Sequence, residues 1–287
     1  MTVPAMRAAV VAIRSGLFDD VTNDVLTHAE RAVGPAVISS AGEPVSHVSW
    51  SQACFGGRAV LVVAGHAGAG ASTVALAMAE GLVEARRVQL VDYSEPARSG
   101  LAAAPTVELG TDGAGWRCGR RGRLEVLRLA RRRPYDGALP GLPEADADAT
   151  AVIDLGWSTT CALLDSRRSL VGCALVVVTR VTVPAVRQVE HVLAAVGAEA
   201  VVVAVGPARW PRQVEGSCGP RLREERSAGR VVPVPFDRRL QTAGLTGDRL
   251  PKSVVAAGRA LAEVVMPAAP ARHPRAAGRT RPAGADR

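Results

Sequence analysis

Ala59-Val60-Leu61-Val62-Val63-Ala64-Gly65-His66-Ala67-Gly68-Ala69-Gly70-Ala71-Ser72-Thr73 passes from an apolar run, through a glycine-rich turn, into a segment of helical periodicity that continues to Ala85. Six continuous β-branched residues and alanines read as a strand buried on both faces. Further runs of the same kind follow at Arg87 to Val91, Thr150 to Asp154, Ala174 to Thr179 and Ala198 to Val205. Val231 to Pro235 reads as a sixth strand, short and near an edge because its prolines cannot donate to a ladder. Helical patterns lie between the runs, clearest at Pro184 to Val196, and Lys252 to Met266 closes the series. Strands that alternate with helices predict an α/β fold: a mostly parallel sheet with helices on both faces.

Working outward from the loop, two of the predicted strands end in acids. Asp92 follows Val91, and Asp154 follows Ile153. Ligands of open α/β sheets sit at the carboxyl ends of strands, so the loop and both acids are expected to converge there. The loop itself suits a bound anion, because glycines let successive N–H groups turn inward and the helix that follows adds its positive end. From Gly65 the spacing fits G-x-x-x-x-G-K-[ST] except at one place, where Ala71 occupies the lysine position.

On these residues, His66 to Thr73, Asp92, Asp154 and the later Val234-Pro235-Phe236-Asp237, the chain resembles the deviant-Walker P-loop ATPases of the ParA/MinD family. The resemblance covers about residues 58–266 and implies a P-loop NTPase-like fold that binds ATP with Mg²⁺ and dimerises around the nucleotide. It implies that Gly65, His66, Gly68, Gly70, Ala71, Ser72 and Thr73 form the phosphate loop, with Pro235 and Asp237 beside the base. It implies Ser72 and Asp154 as the Mg²⁺ ligands, and Asp92 and Asp154 as the catalytic acids, Asp92 orienting the attacking water. His66 stands at the family's signature lysine and Ala71 at its phosphate-binding lysine, while Ala204 stands where an asparagine often contacts the base. The sole lysine, Lys252, lies far along the chain. Without the loop lysines, ATP binding should be weak and hydrolysis impaired or absent, since charge neutralisation and positioning carry phosphoryl transfer.

The chain has 287 residues, formal charge +8 and 48% hydrophobic residues, enough for a sizeable core, but only 3% are aromatic. The core must therefore be built from Ala, Val and Leu. Thirty-four arginines accompany the single lysine, a skew that codon bias in a GC-rich genome can produce without selection for binding. The arginines concentrate at Gly115 to Arg123, Arg128 and Arg131-Arg132-Arg133-Pro134-Tyr135. Three readings stand: an Arg117 to Arg133 surface for non-specific DNA, a solvated loop, or a donor of one arginine to the lysine-less loop.

Five scattered cysteines, Cys54, Cys118, Cys161, Cys173 and Cys218, fit neither a disulfide framework nor a zinc site. Idle thiols agree with a cytoplasmic location. No run of about 18 apolar residues occurs, so no membrane span is expected. Residues 1–57 read as an N-terminal extension with helices at Met6 to Leu17 and Val21 to Val33, and 267–287 as a disordered basic tail. Three functions remain: a nucleotide-binding regulatory protein, a pseudo-ATPase scaffold, or a basic nucleic-acid-binding protein.

Overall fold

The computed structural model describes residues 59–130, 149–166, 174–197 and 200–267. The N-terminal extension, the Arg131 to Tyr135 run, Cys54, Cys173 and all of the tail beyond position 267 lie outside the described residues.

The apolar runs become strands. These are β1 (Ala59–Ala64), β2 (Val88–Asp92), β6 (Thr150–Asp154), β7 (Ala174–Arg180), β8 (Val201–Val205) and β9 (Val231–Val234). All pair in parallel, in the order β2-β6-β1-β7-β8-β9. β9, which carries Pro233, is the edge strand expected from its prolines. β3 (Val107–Thr111), β4 (Trp116–Arg121) and β5 (Leu124–Leu129) complete a nine-stranded sheet in the order β3-β4-β5-β2-β6-β1-β7-β8-β9. β5 lies parallel to β2, and β4 runs antiparallel to both of its neighbours.

The alternation of side chains along β1 divides the core in two. Val60, Val62 and Ala64 pack with α1 (Ala71–Leu82) and α7 (Lys252–Val265). Leu61 and Val63 pack on the opposite face, with residues of α2 (Gly156–Ser166), α3 (Val183–Val196), α4 (Arg212–Gly216) and α5 (Pro220–Ser227). Helices thus cover both faces of a mostly parallel sheet, as the sequence predicts. With so few aromatics, tight packing comes from small residues. A Cβ at Gly258 of α7 would lie 2.2 Å from the carbonyl oxygen of Ala77, so the two helices touch through backbone.

Leu124 to Leu129 reads as strand-like in the sequence and is a strand, whereas Arg117 to Arg121 is a strand and not a solvated loop. Trp116 to Arg121 forms β4 because a turn at Gly122, with φ of 58°, folds it back on β5. The arginines of the hairpin differ in burial. Arg117, Arg120 and Arg123 are exposed, while Arg121 and Arg128 are buried. Arg121 donates to Glu80 of α1 at 2.5 Å and to the carbonyls of Ala104, Thr246 and Asp248. It ties α1 to two loops that no strand reaches. Arg128 donates to Glu108 of β3 and to the carbonyl of Ala102. Trp116 is fully buried, edge-on to Tyr93 at 5.1 Å between ring centroids, so it offers no face for base stacking. Among the described residues no helix is long and apolar enough to cross a membrane.

Removing Arg121 strands Glu80, the buried carbonyl of Ala104 and the part-buried carbonyl contacts of Thr246 and Asp248. Arg121→Ala should lower unfolding free energy by about 3 kcal/mol in urea titration, whereas exposed Arg117→Ala should change it by no more than about 0.5 kcal/mol.

Candidate functional site

β1 ends at Ala64 and α1 begins at Ala71, with the glycine loop between them. Gly65 is pinned, its N–H donating to the carbonyl of Val178 at 2.8 Å. A Cβ at Gly65 would meet Val189 at 2.7 Å, so this glycine serves packing. Gly68 and Gly70 serve conformation instead: their φ values of 73° and 97° lie in the left-handed region, and nothing crowds them within 3.7 Å. No side chain caps α1 and no acid stands in its first turn, so the helix presents bare N–H groups and an uncompensated positive end.

This end opens on a cavity of about 430 Å³, within the size range of small-molecule sites. Gly68, Gly70, Ala71, Ser72, Thr73 and Asp154 all line it. A smaller hollow of about 80 Å³ adjoins it, shares Gly70 and Thr73, and is walled by Pro235, Phe236 and Asp237. Asp237 also works locally, because its Oδ1 caps α6 (Arg238–Ala243) by accepting from the N–H groups of Arg239 and Leu240.

Three expected site residues stand behind the cavity wall. Gly65 is one. His66 is another, buried, with its Nε2 accepting from the N–H of Arg180 at 3.3 Å and its Nδ1 2.9 Å from the carbonyl of Ala67. With Nε2 accepting, Nδ1 is placed to donate to the Ala67 carbonyl. The ring does not extend outward as a long lysine would. Asp92 is the third. The N–H of Ser94 donates to its Oδ1 at 2.8 Å, and the hydroxyl of Ser99 donates to its Oδ2 at 2.5 Å. Ala204 is wholly buried in the core and lines neither hollow.

Asp92 and Asp154 face each other in register on β2 and β6, both fully buried. Burial pushes both carboxyls up. For Asp92 this is opposed by Ser99, Ser94 and the Arg128 guanidinium. Asp154 is pushed up to about 7 by burial and then by Asp92, against the opposing influence of Ser72 and the Gly156 N–H. Its Oδ1 accepts from Gly156, while Oδ2 is buried without a hydrogen-bond partner. That orphaned oxygen, next to the Ser72 hydroxyl, suits a hard cation. No larger cluster of His, Cys, Asp or Glu suited to a metal occurs among the described residues. Mg²⁺ sites commonly use only one or two protein ligands beside phosphate and water.

Two cations that the sequence reading did not single out also line the cavity. Arg98 ends a 3₁₀ turn at Pro96–Arg98 and donates to Ser158 at 3.2 Å; Arg180 ends β7. Arg180 was legible, since it stands at the carboxyl end of a predicted strand next to the loop strand. No arginine of the described part of the Arg117 to Arg133 segment lines the cavity.

Solved structures share this arrangement of sheet, loop and helices. A plasmid partition protein from Borrelia burgdorferi bound to AMPPNP matches at 13% identity and a TM-score of 0.46, over 72% of this chain and 97% of that one. A ParA family ATPase from Chlorobium tepidum matches at 14% and 0.46, over 71% and 98%. The septum site-determining protein MinD from Pyrococcus horikoshii, complexed with Mg-ADP, matches at 16% and 0.47, over 73% and 96%. The likeness is to ParA/MinD-type proteins, and it is one of fold. No protein-family model matches the chain, and no curated protein matches it in sequence.

The carboxyl pair makes stability depend on pH. Asp154 holds its proton in the folded protein up to about pH 7 but has an ordinary value of 3.8. A raised carboxyl contributes stability that is complete below the unfolded value and is lost as pH rises through the folded one. In Mg²⁺-free buffer, the melting temperature of the wild type relative to Asp154→Asn should therefore fall between about pH 4 and about pH 7 and level off above. Parallel melting curves for the two proteins would show that the pair is not strained.

Proposed function

We propose that this chain is a ParA/MinD-like regulatory protein that binds ATP with Mg²⁺ weakly and hydrolyses it slowly or not at all. The observation that carries this reading is an uncapped helix end and glycine loop beside Ser72 and the unpartnered Oδ2 of Asp154, with Ala71 at the start of the helix. The loop N–H groups would hold the phosphates, an interaction that does not need a side chain at position 71. Ser72 and Asp154 would hold Mg²⁺, which would supply the charge neutralisation that the loop lacks. Pro235 and Asp237 would flank the base. Buried Ala204 cannot offer the amide that selects adenine in the resembling family.

Two features support impaired turnover. Ala71 supplies no ammonium for the charge that develops during transfer. Asp92 is wholly buried, lies outside the cavity lining and already accepts from Ser94 and Ser99, so an attacking water would not reach it without a rearrangement. The same features support the pseudo-ATPase scaffold as the limiting case. Homodimerisation around nucleotide and action in the cytoplasm belong to this proposal, as does a division into residues 1–57, 58–266 and 267–287.

Exposed Arg117, Arg120 and Arg123 support a second activity, weak non-specific DNA binding. Such contacts release counterions, so retention should weaken steeply with salt.

Trp157 is 36% exposed and lines the cavity, which makes it a fluorescence reporter. Titration with ATP should report Mg²⁺-dependent binding weaker than about micromolar. Ala71→Lys should tighten it about tenfold or more by bringing an ammonium to the phosphates. A folded Ala71→Lys protein that binds no better would place the chain with the scaffolds, and brisk ATP hydrolysis by the wild type would overturn the inference from Ala71. For DNA, neutralising Arg117, Arg120 and Arg123 together should flatten the salt dependence of retention. Absence of wild-type retention at low salt would end that reading.

A further inference from the structure

We propose that Arg180 is the anion-binding cation of the cavity, taking up from β7 the charge missing at position 71. The inference rests on the nucleotide-binding reading of the same site and names the residue that makes such binding possible.

Four observations converge on this side chain. It is placed where a ligand would be, lining both the main cavity and the adjoining hollow at Phe236. It is unspent. Its Nε is buried without a hydrogen-bond partner, and Arg180 enters no ion pair among the described residues. Two buried arginines are committed elsewhere: Arg121 to Glu80 and three carbonyls, and Arg128, although its Nε is likewise unpartnered, to Glu108 and the carbonyl of Ala102 through its other nitrogens. A buried donor without an acceptor is costly, more so on a charged group, so an incoming acceptor would relieve it.

The guanidinium is also held in place without using up its donors. Its carbon lies 5.6 Å from the ring centroid of Phe236, an electrostatic contact with the ring face that leaves the N–H edge free. Finally, its main chain is clamped. Arg180 pairs with Val205 of β8 and donates its own N–H to His66. His66 and Ala71 occupy the two positions where the resembling family carries lysine. One of these departures thus anchors the residue that answers the other.

Charge distribution favours the same assignment. Both buried acids stand on β2 and β6, on one side of the loop strand, and Arg180 stands on β7, on the other. A polyphosphate lying across the loop would meet a cation site at Asp154 and Ser72 at one flank and a guanidinium at the other. Arg98, the other lining cation, is exposed, lies on the acidic side and already donates to Ser158. The planar fork of Arg180 suits two phosphate oxygens at once, which a lysine ammonium does not.

The test uses the full chain and two probes, Mg-ATP and inorganic triphosphate, titrated by calorimetry against the wild type, Arg180→Ala, Arg180→Lys and the exposed control Arg120→Ala. Circular dichroism and melting temperature establish folding for each. Arg180→Ala should weaken both probes by on the order of tenfold to a hundredfold, Arg180→Lys should recover part of the loss, and Arg120→Ala should bind like the wild type. If Arg180→Ala does not fold, Arg180→Lys alone decides, since its charge persists while the fork is lost and affinity for both probes should still fall. Equal affinities for the wild type and both Arg180 variants overturn the assignment while leaving nucleotide binding intact. A loss for ATP but not for triphosphate also overturns it, placing Arg180 at the sugar or base. A wild type that binds neither probe overturns the nucleotide-binding reading itself, and the assignment with it.

Discussion

Two carboxyl groups buried side by side set the terms for this protein. Asp92 and Asp154 are brought into register because β2 and β6 are neighbouring parallel strands, and their burial follows from a sheet covered on both faces. Like charges so placed cannot both ionise freely. The surrounding structure reads as a response. Ser94, Ser99 and Arg128 attend Asp92, while Asp154, pushed up by burial and by Asp92, keeps its second oxygen without a hydrogen-bond partner. An uncapped helix end lies opposite. Negative potential on one wall and positive on the other make the cavity a place for a bound cation and anion together.

Arginine carries two different tasks in this chain. Arg121 and Arg128 act as structural staples, each gathering carbonyls and a carboxylate from loops that have no ladder of their own. Arg180 and Arg98 line the cavity. Composition alone cannot separate these tasks, since codon bias places arginines without regard to strand face. What separates them is their partners: Arg117 and Arg121 fall on the same side of β4 by strand alternation, yet Arg117 is exposed while Arg121 meets Glu80 and the carbonyls of Ala104, Thr246 and Asp248.

The parallel half of the fold was legible because its strands are continuous valine runs, a pattern few other structures tolerate, and β1 and β6 have the bounds read from sequence. β3 and β4 were not. β3 is exposed along its whole length, and β4 is interrupted by arginines, so neither carries a hydrophobic period. Their pairing depends on the Gly122 turn and on cross-strand partners distant in sequence. In the site, the residues that act through backbone, Gly68 and Gly70, were legible from spacing, as were Ser72 and Asp154. The orientation of His66 was not, because it depends on an acceptor geometry offered to a strand more than a hundred residues away.

That link between His66 and Arg180 has a consequence for how such a loop can change over time. Lysine at 66 would withdraw the acceptor from the N–H of residue 180, whereas any residue but proline at 180 would keep that N–H in place. The dependence therefore runs one way: position 180 can vary without costing the imidazole its donor, while position 66 cannot vary without loosening the main chain that carries residue 180.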